Sequence, residues 1–296
     1  MKKLIINCDD LGVSKEANLG ITDCLLKKKA TSASIMANGE FFDHALTNIK
    51  EIVPDNWFGL HLNLTEGSAL NSDSIKILTD KDLKFNKEPS AFFLMNLNRE
   101  KEIIDNLIYL EFKAQILKVK KAGVRISHFD SHEHIHHSPF IYRIIKKLGK
   151  EFGINKIRLV KEFLVLKNLF KDFGYKFMSK NYVKLLLLNY CSNRIKDSFF
   201  LSPNYFYGIL NSGKIERDEF FLYLNKIKHD SVIELCIHPA NEISFPKIEK
   251  NKFIYKKFTY SQNRFHEKKL LFSEEFETNL KNQKIKLVDY SNLHIA

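Results

Sequence analysis

The sequence predicts an α/β fold in which helices cover a parallel sheet, either as a barrel or as a doubly wound sheet. Two patterns support this: short apolar runs alternate with longer helical segments, and polar residues gather where the apolar runs end. The chain has 296 residues, of which 44% are apolar and 28% charged, so it can fill one sizeable core. We therefore expect a single domain over residues 1–296.

The first elements follow from local signals. An apolar run at residues 4–6 precedes Asn7-Cys8-Asp9-Asp10 and predicts a buried strand. Residues 14–29 predict a helix with Ser14 as its N-cap and with Ala17, Ile21 and Leu25 on one face. The next predicted elements are a strand at 31–37, a helix at 40–52 and a strand at 57–64.

The clearest helix is predicted over residues 99–122 and ends at Gly123. Its apolar residues recur at spacings of three and four: Ile103, Leu107, Leu110, Ala114 and Leu117. A further helix is predicted at 139–152, with Ser138 as cap and Pro139 in its first position. The remaining predicted strands are 125–129, 156–160, 231–237 and 285–288.

Two stretches, 65–98 and 161–215, do not fit the strand–helix alternation. The first has few periodic apolar residues, and the second is rich in aromatic residues and lysine. We expect both to be insertions that form walls or lids over a site.

The overall charge does not by itself indicate a nucleic-acid partner. The net charge is +12, but the 47 basic residues are spread along the chain, and the longest unbroken run is Lys27-Lys28-Lys29. This favours a solvated, lysine-rich surface over attraction to polyanions or to an anionic membrane. We expect no nucleic-acid partner.

Cysteine usage and hydropathy predict a cytoplasmic protein. The four cysteines are far apart, without a CxxC pair, which is typical of a reducing compartment. The apolar stretch near the N-terminus is too short for a signal peptide, and the apolar run at 185–188 is too short to span a bilayer. We therefore expect no integral membrane segment. For the oligomeric state, a homodimer is one alternative beside a monomer.

The chemically useful residues fall at predicted strand ends. Asp9 and Asp10 end the first strand, His61 lies in the third, a histidine-rich run covers 128–137, and His238 follows a late strand. Because the carboxyl ends of parallel strands converge on the ligand site, these segments are expected to lie together at one end of the barrel or sheet.

Each segment alone has an ordinary structural explanation. Adjacent Asp9 and Asp10 side chains point different ways, so one can bind metal while the other faces substrate. For the pair taken alone, a helix N-cap plus a solvated charge is the more common explanation. The run 128–137 holds five histidines, and alternation on an extended chain puts His128, Asp130 and His132 on one face. A surface patch, or histidines bonded to the backbone, is the alternative. His61 and His238 become candidates only because the other segments supply partners.

One Asp and two His would form a ligand set that leaves metal positions open for water and substrate. A metal held in this way lowers the pKa of water and polarises an acyl oxygen. A second carboxylate could accept the water proton, and a separate His could protonate a leaving amine. Spacing alone does not choose among the histidines of the run.

The chain resembles the YdjC-like carbohydrate deacetylase family, which includes chitooligosaccharide deacetylases and hopanoid-biosynthesis proteins. The matching segments occur in family order over roughly residues 4–245: INCDDLGVSKEANLGI, TSASIMANG, GLHLNLTEG, HFDSHEHIHHSP and VIELCIHPA. Cys8 and Leu11 depart from the usual Ala and Phe, both apolar exchanges. The resemblance implies a distorted (β/α) barrel of the polysaccharide-deacetylase-like type, which uses one divalent metal ion, zinc or magnesium, to hydrolyse an N-acetylated sugar or oligosaccharide.

The resemblance also implies roles for particular residues. The metal ligands of the family correspond to Asp10, His61 and His132 in this sequence, with His128 and His134 as the next candidates. Its general base falls on Asp9, and His238 is the candidate acid or substrate contact. The residues expected to contact substrate or orient the base are Arg158, Asn63 and Asp130.

Two other functions remain open from the sequence. One is a metal-dependent esterase or phosphodiesterase on the same scaffold, and the other is a metal-binding, non-enzymatic carbohydrate-binding protein. Two imidazoles favour zinc over magnesium, which prefers oxygen ligands. The sequence does not give the sugar, its chain length or the acetyl position.

Overall fold

A computed structural model describes residues 1–49, 58–72, 77–165, 180–195, 197–242 and 257–293. The strands are β1 Lys3–Leu11, β2 Ser32–Ile35, β3 Phe58–Leu62, β4 Phe129–Ser131, β5 Tyr205–Tyr207, β6 Val232–Ile237 and β7 Lys286–Leu287. The α-helices are α1 Lys15–Leu26, α2 Phe42–Ile49, α3 Ala91–Leu94, α4 Lys101–Lys121, α5 Pro139–Phe152, α6 Lys180–Ile195, α7 Arg217–Lys226, α8 Gln262–Phe272 and α9 Glu274–Asn282. Short 3₁₀ helices cover Met95–Leu97, His132–His137, Lys257–Tyr260 and Tyr290–Asn292.

The strands form one parallel sheet in the order β4-β3-β2-β1-β6-β5, and β7 pairs with the beginning of β1. A segment at 156–161 spans the gap between β4 and β5. Its Arg158 N–H donates to the Phe129 carbonyl at 3.0 Å, and its Lys161 carbonyl accepts from the Phe206 N–H at 3.1 Å. The sheet thus curls around, and the prediction of a distorted (β/α) barrel in a single domain is confirmed.

The predicted strand at 156–160 is not a regular strand. Lys156 and Ile157 make only isolated bridges, to Leu201 and Phe129 respectively. Successive residues of this segment bond to different neighbours, so no continuous ladder forms. The predicted strand at 125–129 is likewise shifted, since the ladder with β3 runs over Phe129–Ser131.

Helix α1 confirms its local signals. The Ser14 hydroxyl accepts a hydrogen bond from the Ala17 N–H at 3.1 Å, and Ala17, Ile21 and Leu25 are buried. Helix α5 begins at Pro139 as predicted, but the Ser138 side chain makes no capping bond. Its hydroxyl donates instead to the Phe92 carbonyl at 2.7 Å and so ties α3 to α5.

Helix α4 is present, but the apolar face predicted for it is wrong by one position. Ile103 and Leu117 are exposed, whereas the inward face carries Ile104, Ile108, Phe112, Ile116 and Val119. Two polar residues, Glu111 and Gln115, share that face. Glu111 accepts the N–H groups of Leu70 and Asn71, and Gln115 bonds both backbone groups of Asn63. These polar positions obscured the apolar stripe in the sequence.

The core lies between the inner faces of the strands and the surrounding helices. Its largest cluster runs from β1–β4 through α4 and α5 to α7 and the C-terminal helices. Among the described residues, none of the helices combines the length and the apolar character needed to cross a membrane.

Candidate metal centre and catalytic pocket

The strand ends meet at one mouth of the barrel, as expected from the sequence. Asp9 and Asp10 belong to β1, His61 to β3 and Asp130 to β4, while His132 and His238 follow β4 and β6 directly. A cavity of about 320 Å³ opens there. Its lining residues are Asp9, Asp10, His61, Ser131, His132, Glu133, His134, Asn181, Lys184, Gly208, Ile209, Ser212, His238 and Phe258.

Three donor atoms converge at the centre of this cavity. Asp10 Oδ1 lies 3.1 Å from His132 Nδ1 and 3.4 Å from His61 Nε2, and all three atoms lie within 4.8 Å of one another. Asp10 has a φ of 70°, a left-handed conformation that Asp tolerates better than most residues. One carboxylate oxygen and two imidazole nitrogens on one side of a cavity fit a catalytic divalent metal.

The ring of His61 is oriented by Asp130. His61 Nδ1 lies 2.9 Å from Asp130 Oδ1, while Asp130 Oδ2 accepts from the Ser34 hydroxyl at 2.7 Å. Burial acts against ionisation of Asp130, but the Arg158 guanidinium keeps the pKa of this carboxyl below its usual value. The ionised carboxylate therefore accepts a hydrogen bond from the Nδ1–H of His61, and Nε2 is left to face Asp10.

The other two residues of the centre also have fixed surroundings. His132 Nε2 lies 3.6 Å from Glu66 Oε2, so its two ring nitrogens lie between two carboxylates. Burial lowers the pKa of His132, but hydrogen bonding to Asp10 and Glu66 outweighs it and raises that pKa well above 6.5. Asp10 Oδ2 accepts from Arg264 Nη1 at 2.8 Å. Despite burial, the charge of Arg264 holds the pKa of Asp10 well below its usual range.

Asp9 lies in a dense set of hydrogen bonds beside the centre. Arg158 holds both carboxylate oxygens, with Nη1 and Nη2 each at 2.7 Å. Asn7 Nδ2 donates to Oδ1 at 2.7 Å, and the Cys236 thiol donates to Oδ2 at 3.2 Å. Burial acts to raise the pKa of Asp9, but the Arg158 guanidinium outweighs it and lowers that pKa below its usual range. Asp9 is therefore ionised at neutral pH.

The residues predicted to contact substrate are located behind the cavity. Arg158, Asn63 and Asp130 are fully buried and are absent from the cavity lining. Arg158 links three carboxylates, those of Asp9, Asp130 and Glu234. Asn63 instead organises a turn, because its side chain bonds the Thr65 N–H at 3.0 Å and the Glu66 carbonyl at 2.6 Å.

His238 lines the cavity and is held by Glu267 of α8. Glu267 Oε2 accepts from the His238 N–H at 2.6 Å and lies 3.5 Å from the ring Nδ1. Phe258 also packs against the His238 ring. The two ring centroids are 5.1 Å apart in an edge-to-face arrangement. Sequence reasoning missed both Glu267 and Arg264, because no local motif marks the region around α8.

The structure separates the histidines of the 128–137 run. Glu133 and His134 adopt left-handed φ angles of 55° and 58°, so the chain turns sharply after β4 and the alternation of an extended strand is lost. His136 bonds the Ser131 hydroxyl and the Arg158 carbonyl, and His137 accepts from the Val160 N–H at 2.9 Å. His128 points elsewhere and stacks on Tyr290 at 3.4 Å between centroids.

The neutral state of these buried histidines follows from their surroundings. Burial lowers the pKa of His128 and of His137 to about 3. Burial likewise places the pKa of His134 and of His136 well below 6.5. His134 reaches the cavity lining, whereas His132 is the member of the run that joins Asp10 and His61.

A barrel with Asp10, His61 and His132 together at the carboxyl ends of its strands has the side chains to hold a catalytic metal ion, as metal-dependent hydrolases do. The chain belongs to the YdjC-like protein family, which matches residues 3–282.

Curated relatives carry consistent names. A carbohydrate deacetylase of Brevibacillus brevis (strain 47) is 28% identical over 291 residues, covering 98% of this chain and 99% of the relative. A carbohydrate deacetylase of Listeria welshimeri is 37% identical over 153 residues, which is 52% of this chain and 59% of the relative.

A solved structure shares the fold. A candidate cellobiose-phosphate cleavage protein of Enterococcus faecalis V583 superposes with a TM-score of 0.69 at 21% identity, over 99% of each chain. At this identity the likeness concerns the fold alone.

Proposed function

We propose that this protein is a metal-dependent hydrolase that removes the acetyl group from an N-acetylated sugar or oligosaccharide. The observation that carries this proposal is the convergence of Asp10 Oδ1, His61 Nε2 and His132 Nδ1 in a cavity that Asp9 and His238 also line. Relatives named carbohydrate deacetylases support the substrate class.

Asp10, His61 and His132 would hold one divalent ion, and we favour zinc over magnesium. Two of the three converging donor atoms are imidazole nitrogens, which suit late transition metals better than magnesium. When bound, such an ion supplies water of lowered pKa and polarisation of the acyl oxygen. The orientation of the His61 ring supports this role, because Asp130 contacts its Nδ1 and leaves Nε2 3.4 Å from Asp10 Oδ1.

Asp9 would serve as the base that orients the attacking water and accepts its proton. Its ionised state at neutral pH suits a proton acceptor, although the hydrogen bonds from Arg158 reduce its basicity. We therefore assign Asp9 to hold the water by a hydrogen bond and to take the proton as the new C–O bond forms.

His238 would protonate the leaving amine. Glu267 lies beside Nδ1, so the other ring nitrogen is available to a substrate in the cavity. A proton delivered to the amine nitrogen allows the C–N bond to break with a neutral leaving group.

Arg158, Asp130 and Asn63 would act through other residues. Arg158 fixes both oxygens of Asp9, Asp130 fixes the orientation of the His61 ring, and Asn63 shapes the turn that carries Glu66. We therefore propose them as positioning residues; direct contact with substrate stays a prediction.

We further propose that the single domain extends over residues 1–296 and that the 161–215 stretch provides a wall of the cavity. Asn181 and Lys184 of α6 and the segment around Gly208 line it. A cytoplasmic location, a homodimer and the insertion at 65–98 stay predictions.

The test is acetate release from a panel of N-acetylated mono- and oligosaccharides, run beside matched acetyl-ester and phosphodiester substrates. We expect release from the N-acetylated saccharides by the metal-loaded protein. Asp9→Asn should keep the metal and lose turnover, whereas Asp10→Ala should lose both. Ester or phosphodiester turnover without acetate release would show the alternative hydrolase, and full activity of metal-free Asp10→Ala would exclude the mechanism.

A further inference from the structure

Arg264 of α8 is a fully buried cation at the metal centre, and neither the sequence motifs nor the comparisons mark it. Its Nη1 donates to Asp10 Oδ2 at 2.8 Å, and its guanidinium lies over the Phe258 ring at 5.6 Å. Among the described residues, Nε and Nη2 have no hydrogen-bond partner. A buried guanidinium with incomplete pairing costs stability, so a compensating role at Asp10 is expected.

The contact occupies one oxygen of Asp10 and leaves the other for the centre. Oδ2 faces Arg264, while Oδ1 lies 3.1 Å from His132 and 3.4 Å from His61. A carboxylate held at one oxygen in this way presents its second oxygen to a cation. Zinc and magnesium accept such single-oxygen ligation, whereas calcium takes six to eight oxygens and often uses both oxygens of a carboxylate.

Helix α8 carries Arg264 on a rigid support. One turn further along, Glu267 accepts the N–H groups of Gly213 and His238, each at 2.6 Å. Lys268 then pairs with Asp23 of α1 at 2.6 Å. The helix is therefore fixed to the end of β6, to the cavity wall and to α1, so the guanidinium cannot move freely from Asp10.

We propose that Arg264 is a positioning residue that holds Asp10 as a single-oxygen ligand and thereby makes the site discriminate against calcium. This rests on the proposed function for its metal centre and adds which cations the centre accepts. Helix α8, which lies outside the motif segments, would then determine cation selectivity.

The test compares zinc and calcium binding to metal-free protein by titration calorimetry. Arg264→Met frees Asp10 Oδ2, and we expect the ratio of zinc to calcium affinity to fall by about tenfold or more, in line with the usual effect of residues that orient ligands. Arg264→Lys keeps a cationic donor and should keep most of the preference. Lys269→Met is the matched control, because it removes the same charge from an exposed position of the same helix.

A wild-type zinc-to-calcium ratio in folded Arg264→Met would overturn the proposal, as would the same loss in Lys269→Met. If circular dichroism shows that Arg264→Met does not fold, Arg264→Gln takes its place, with the same expected fall in ratio and the same overturning result. The measurement uses no substrate. A protein that releases no acetate but shows the altered ratio would therefore contradict the proposed function and support the role of Arg264.

Discussion

His61 Nδ1 lies 2.9 Å from Asp130 Oδ1, and this contact fixes which ring nitrogen faces Asp10. Both residues are buried, and their strands pair in register, with His61 opposite Asp130 in the β3–β4 ladder. The ring orientation of a predicted ligand is therefore determined by the neighbouring strand rather than by its own segment.

We predict that Asp130→Asn lowers metal affinity by roughly 10- to 100-fold, the usual effect of removing a carboxylate that orients a ligating histidine. Isothermal titration of metal-free protein measures it. Asp105→Asn, which alters a surface pair with Arg143, is the control and should bind metal normally. Unchanged affinity in folded Asp130→Asn would show that the contact does not orient His61.

Arg158 is predicted to be essential for stability as well as for the site. Arg158→Met leaves the buried carboxylates of Asp9 and Asp130 without their cation, which should lower the free energy of unfolding by about 3–5 kcal/mol. Denaturant unfolding measures this. Arg143→Met, at an exposed pair, should change stability by less than about 1 kcal/mol. Similar values for both variants would contradict the prediction.

Glu162 is predicted to make stability depend on pH. Burial raises its pKa to about 7 from 4.5, although the backbone N–H groups of Gly208, Ile209 and Leu210 partly counter this. Because the folded-state pKa is higher than the unfolded one, the folded protein holds a proton that the unfolded chain releases between these values. The stabilisation of the folded state by protonated Glu162 is complete below pH 4.5 and is lost as pH rises through 7.

Between pH 5.5 and 8.5 this loss should amount to about 2 kcal/mol of unfolding free energy. Unfolding of wild-type and Glu162→Gln protein at both pH values isolates it, because the glutamine does not titrate. We expect the wild type to lose stability relative to the variant as pH rises. Parallel pH dependence of the two proteins would count against the raised pKa.

Two histidines of the 128–137 run should differ in function. His137→Leu removes the acceptor of the Val160 N–H, so it should lower the free energy of unfolding by about 1–3 kcal/mol while metal stoichiometry stays at one. His132→Leu should abolish metal retention. Metal analysis and denaturant unfolding of both variants separate the two roles. Loss of metal from folded His137→Leu would show that the assignment of ligands is wrong.

Local sequence patterns were sufficient to predict most helices and strands, and also the segments whose residues line the site. The Ser14 cap, the Pro139 helix start and the apolar runs of β1 and β6 are determined by neighbours in sequence. Strand ends carrying Asp9, Asp10, His61 and His238 were predicted to meet because parallel strands share one mouth, and the structure brings them together.

Other features depend on contacts that a local pattern does not contain. The inward face of α4 includes Glu111 and Gln115, whose backbone partners lie 40 residues or more away in sequence. The strand predicted at 156–160 is reduced to isolated bridges, because successive residues bond to different neighbours.

By itself the sequence determined the class of fold, the four segments of the centre and, through family resemblance, the candidates Asp10, His61 and His132. The tertiary structure decided their surroundings: Asp130 orients the His61 ring, and Arg264, 254 residues from Asp10, donates to one oxygen of its carboxylate. The physical reason is that ionisation, tautomer and ligand orientation depend on charges within a few ångströms, and folding brings those charges from distant parts of the chain.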